Sequence, residues 1–194
     1  MLKIVESIAR FMAVIGGLVL SALVILTCVS VLGRMVNSMA HSDALMGLSQ
    51  GLADALIASG VGPITGDFEI LEAGVAFAIF AFLPICQLYS SHATVDIFTN
   101  ALPIKANKML STFWEVVLTA IILLITWRLF AGLESKYDYG ETTFLLQFPV
   151  WWAYAISFAA ACVASVVGVY CAIARVAELI TGRRYMPYSE EAVH

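Results

Sequence analysis

Charge is what this sequence has least of. Only 12% of its 194 residues are Asp, Glu, Lys or Arg, against roughly 25% in a typical soluble domain. So few charges cannot clothe the surface of a water-soluble globule. Histidine is scarcer still: His41, His92 and His194 are the three in the chain, and none falls in an apolar run. A haem held between facing helices usually needs histidine ligands, so that cofactor is not expected. The four cysteines (Cys28, Cys86, Cys162, Cys171) form no C-x-x-C pair; they read as small buried apolar residues rather than a redox or metal centre. No basic run accompanies the net charge of −4, which removes nucleic acid as a partner. No cofactor is expected on this chain. No nucleophile–base set or metal cluster is visible, so an enzyme is not expected.

What is present is apolar residues in long blocks, 61% of the chain in all. Four blocks are long enough to cross roughly 30 Å of hydrocarbon as helices of about 20 residues. They are residues 11–33, without a charge, 69–89, 110–131 and 149–174. Backbone groups in lipid must be satisfied within a helix or a closed barrel, and the alternating strands of a barrel are absent. The expected fold is therefore an all-α integral membrane protein, a single four-helix domain over residues 1–194. The first run exceeds the about 7–15 residues of a signal peptide and lacks a clean cleavage site, so it reads as a retained helix.

Seven of the ten basic residues fall on one side of these spans: Lys3, Arg10, Lys105, Lys108, Arg175, Arg183 and Arg184. Arg34 and Lys136 fall on the other. The positive-inside rule then puts both termini in the cytoplasm. Trp114 near the inner ends, with Trp127, Trp151 and Trp152 near the outer ends, fits an aromatic belt. Between the first two spans, residues 34–68 make an outer loop too long for a simple hairpin. A leucine stripe (Leu45, Leu48, Leu52, Leu56) predicts an amphipathic helix over 43–59, capped by Ser42 and ended by Gly60. Acidic residues dominate the outer loops, a fair setting for guiding a soluble protein.

Three ionisable residues, Glu72, Glu115 and Arg128, lie within or near the span ends. Each should face a partner or water, since mid-bilayer placement costs roughly 2.5–3.5 kcal/mol. Glu72 and Arg128 fall at similar depth on antiparallel spans, which predicts a contact between them. Residues 89–103, "YSSHATVDIFTNALP", become the inner turn between spans two and three. His92 and Asp96 face each other there if the turn is helical, and their wet setting suits a cap or partner contact better than catalysis.

These pieces together resemble the DctQ-type small membrane subunit of tripartite ATP-independent periplasmic (TRAP) transporters. "VLGRM" closes span one on Arg34; Glu69 or Glu72 opens span two; "HATVDIFTNALP" carries His92, Val95, Asp96, Leu102 and Pro103; Trp114, Trp127 and Arg128 mark span three; Pro149 and Trp151 open span four. The resemblance implies a subunit in the bacterial inner membrane that binds a large, DctM-type transport subunit as part of its scaffold. It further implies help in docking a periplasmic substrate-binding protein, for uptake of an organic acid on a sodium gradient that this chain does not itself bind. Glu72, Arg128, His92, Asp96, Pro103, Arg34 and Trp151 are its expected structural or partner contacts, and Pro84 is expected to bend span two into the inner turn. No broken helix pair or midplane polar cluster marks a substrate site, while "SFAAACVASVVG" in span four suits close packing against another membrane protein. The alternative is a self-sufficient homo-oligomeric transporter or channel; an anchor for a redox enzyme is disfavoured by the missing in-membrane histidines.

Overall fold

The computed structural model describes residues 2–42, 51, 56, 58, 60, 62–89 and 104–181. Four helices are found among them: α1 (Leu2–Ala40), α2 (Asp67–Leu88), α3 (Ile104–Tyr139) and α4 (Trp151–Thr181). All four are long and apolar enough to cross a membrane. Three of them outrun the apolar blocks. α1, with 39 residues, is roughly 58 Å long at about 1.5 Å per residue. Its first turns lie outside the charge-free run, where Arg10 bonds Glu6 one turn back at 2.9 Å. Of the loop helix expected over 43–59, all but three positions lie outside the described residues.

Local chemistry explains the helix ends. Gly66, at φ 80°, turns the chain into α2, and Asp67 and Glu69 in the first turn complement the positive helix terminus. Gly140, at φ 61°, ends α3 in the left-handed conformation that glycine reaches without a Cβ penalty. Pro149 precedes α4 directly. α2 runs through the buried Pro84 to Leu88, so the proline is absorbed within the helix. Polar side chains inside the spans bond back along their own helix: Ser21 to the Gly17 carbonyl, Thr27 to that of Leu23, both at 2.8 Å. That satisfies the hydroxyls without water.

The helices do not close into a symmetric bundle. α1 packs on α2, α2 on α4 and α4 on α3, while α2 and α3 touch only sparsely. α4 is the central strut, and its buried face is almost all small: Ser157, Ala160, Ala161, Ala164, Ser165, Gly168 and Cys171, with Val167. Small residues let backbones approach where lipid gives no hydrophobic drive between helices. Gly16 of α1 meets α2 so closely that a Cβ there would lie 2.9 Å from that of Ala81. Thr126 of α3 shares a 2.8 Å bond with Ser165 of α4, and the Phe130 and Phe158 rings lie 5.4 Å apart. Ala9, Leu88, Val167 and Cys171 gather α1, α2 and α4 toward the end where α1 starts and α2 finishes. Tyr89 bonds Glu6 there at 2.9 Å.

Burial divides the cysteines. Cys171 is in this core, as expected of a small apolar residue, but Cys28 is exposed on α1. Outward positions on α1 and α3 are large and apolar instead, among them Phe11, Leu18, Ile25, Phe113, Ile121 and Trp127. These faces are suited to hydrocarbon or to another membrane protein.

Candidate functional site

Two polar assemblies and one cavity organise the molecule. The first assembly lies at the loop end, where α1 finishes and α2 begins. Ser30, one of the few wholly buried polar residues, donates to the Asp67 carboxylate and accepts from the Ile64 backbone N–H at 3.3 Å. Arg34, one turn further along α1, reaches the same carboxylate at 3.7 Å, and its guanidinium stands 6.0 Å from the Phe68 ring centroid. The residue expected to close span one thus fastens α1 to α2.

Glu69 extends this assembly to the α3–α4 connection. Its two carboxylate oxygens accept from the backbone N–H groups of Leu145 (2.6 Å) and Leu146 (2.9 Å). The connection is a tight hairpin. Thr142 bridges Pro149, Val150 donates to the Glu141 carbonyl at 3.0 Å, and Gln147 takes φ 56° at the turn. Trp151 packs edge-on against Tyr137 at 5.5 Å, tying the start of α4 to the end of α3. Of the two acidic residues that open span two, Glu69 therefore does the bridging. Replacing Glu69 with alanine is expected to free the hairpin while leaving the helices in place. Amide hydrogen exchange would show it as faster exchange at Leu145 and Leu146, with α4 protection unchanged.

The second assembly is buried between α2, α3 and α4. Gln87, fully buried, donates from Nε2 to Thr119 Oγ1 at 3.1 Å, and Thr119 donates to the Gly168 carbonyl at 3.1 Å. One amide thus spans three helices. Glu115, also buried, lies one turn before Thr119 on the same helix. Sequence reasoning found Glu115 but missed Gln87, an uncharged residue with nothing local to mark it.

Glu72 and Arg128 do not meet. The four ion pairs among the described residues are Glu6–Arg10, Arg34–Asp67, Lys136–Glu141 and Arg175–Glu178, and both Glu72 and Arg128 are exposed. Their depths do correspond, since Leu129 and Glu72 line one cavity. α2 and α3 each pack on α4 and only sparsely on one another, so matching depth does not bring the two side chains together. His92, Asp96 and Pro103 lie outside the described residues. Among the described residues no three His, Cys, Asp or Glu side chains group as metal ligands.

The cavity lies between α2, α4 and the α3–α4 hairpin, with Leu129 its lining residue from α3. Its volume is about 480 Å³, and the hairpin covers the end where α2 and α4 begin. Apolar side chains dominate the walls, and its polar groups sit toward the loop end. Nothing in it combines a nucleophile with a base, so binding and packing are what the arrangement can do.

Residues 23–179 match a protein-family model described as "Tripartite ATP-independent periplasmic transporters, DctQ component". No curated protein and no solved structure matches the chain.

Proposed function

The chain belongs to the DctQ family of TRAP transporter components, and from that premise we propose that it is an accessory subunit packed against a large, DctM-type transport subunit. The family match over most of the chain is the observation that carries this reading. On it, the chain is a multi-pass membrane protein and a transporter component rather than an enzyme. The chain enlarges the fixed scaffold of the transporter and helps a periplasmic binding protein deliver an organic acid, whose uptake a sodium gradient drives. It lies in the bacterial inner membrane with both termini in the cytoplasm, following the basic-residue asymmetry. On this reading His92, Asp96 and Pro103 serve as partner contacts, and Arg34 and Trp151 hold the outer ends in register.

Physical features support the reading. α1 and α3 present apolar side chains around most of their circumference, and the helices form an open arrangement that offers a broad face to a larger partner. Sparse contact between α2 and α3 leaves no closed four-helix pore. Reconstituting the purified chain alone into vesicles tests the proposal. No uptake of a labelled dicarboxylate is expected with a sodium gradient imposed, and uptake should require both the large subunit and the binding protein. Uptake by the chain alone would favour a self-sufficient homo-oligomeric transporter.

A further inference from the structure

The cavity between α2, α4 and the hairpin is a site in its own right. Leu129 is its lining residue from α3, and the Gln87–Thr119 bond joins α2 to α3 beyond it. The exposed Glu72 marks a side on which the cleft is open. We propose that this cleft holds one acyl chain of a phospholipid whose headgroup bears a primary amine, such as an ethanolamine lipid.

Size is the first argument. At roughly 30 Å³ for each water-sized group, about 480 Å³ accommodates on the order of sixteen such groups. That matches one long acyl chain, not a whole lipid. Shape is the second. Ala73 and Ala76 hollow the α2 wall, and the rings of Phe80, Phe148 and Tyr154 supply flat apolar surface. The bilayer around the cleft is equally apolar, so these walls fit a chain without choosing among lipids.

Choice comes from the polar groups. Glu72 lines the cleft, about 7.5 Å into α2 by helix rise. Among the described residues it makes no hydrogen bond or ion pair, in contrast to Glu69. An ammonium headgroup complements this carboxylate, whereas the two acidic side chains repel an anionic glycerol lipid. Ser157 lies about 9 Å into α4, at nearly the same depth. It is 3% exposed, lines the cleft, and its hydroxyl has no hydrogen-bond partner among the described residues. Rotated toward the cleft, that hydroxyl would donate to an ester carbonyl, which lies just below the headgroup in a phospholipid. An unpaired carboxylate beside an apolar slot matches an amine headgroup with its acyl chain.

The site is tested by placing the full chain in nanodiscs of equal parts ethanolamine, choline and glycerol phospholipids. It is then transferred to mild detergent and the retained lipid is weighed by native mass spectrometry. Wild type is expected to keep a single lipid, enriched in ethanolamine over the bulk ratio. Ala76→Trp, which fills the slot, is expected to lose that lipid. Glu72→Gln changes an exposed side chain and preserves the fold; its ethanolamine preference should fall about fivefold, as for one partly exposed ion pair. Wild type that keeps no lipid, or lipid in the bulk ratio, would overturn the proposal. So would retention unchanged in Glu72→Gln and in a folded Ala76→Trp.

Discussion

Gly168→Ala is expected to destabilise the folded chain by about 2–4 kcal/mol, the sum of overpacking and a broken buried hydrogen bond. A Cβ at position 168 would lie 2.7 Å from Gln87 Oε1 and 3.2 Å from Nε2. Gln87 is fully buried, so its amide has nowhere to swing. Either α2 moves off α4, or the amide is displaced and its bond to Thr119 is lost. Unfolding by SDS titration in mixed micelles measures the change. Gln87→Ala removes the clash together with the bond, so Gly168→Ala in that background should cost far less. The non-additivity of that double-mutant cycle distinguishes a specific collision from a general dislike of alanine in α4.

A second large effect is expected at Gly33, where Gly33→Ala should lower stability by about 1–3 kcal/mol. Any Cβ there would run into the backbone carbonyl of Gly62. Backbone cannot rotate aside as a side chain can. Moving it would also disturb Ile64, whose N–H bonds Ser30, and hence the Ser30–Asp67–Arg34 tie between α1 and α2. Gly17 supplies the contrast, since a Cβ there meets nothing within 4 Å. Gly17→Ala should gain about 0.5–1 kcal/mol from helix propensity alone. The same substitution on the same helix thus changes sign with what faces it, and the same titration reads both. Equal effects at the two positions would contradict the close approach at Gly33.

The spans were legible because hydropathy answers directly to bilayer depth. Each helix covers its apolar block to within two residues. Their true ends were not legible. "KIVESIAR" and "ESKYDY" are polar enough to leave hydrocarbon, yet they continue α1 and α3, because a helix once formed extends wherever its backbone bonds can. Spatial order was the harder matter. Chain order made spans two and three look like neighbours, which suggested a Glu72–Arg128 contact; both pack instead on the small residues of α4 and only sparsely on one another. The importance of Arg34 and the acidic start of span two was visible, but their partners were not. Asp67 lies 33 residues from Arg34, and Glu69 engages backbone N–H groups that no side-chain pattern marks. Gln87 was invisible for a related reason: a lone amide in an apolar helix acquires meaning only from the threonine and glycine that the fold sets against it.

Membership of the family fixes the kind of machine; the accessory role within it rests on association with a larger subunit. The most direct measurement is affinity capture of the tagged chain from native membranes in mild detergent, with mass spectrometry of what accompanies it. A large polytopic membrane subunit in stoichiometric amount is the expected result. Recovery of the chain only with further copies of itself would contradict it.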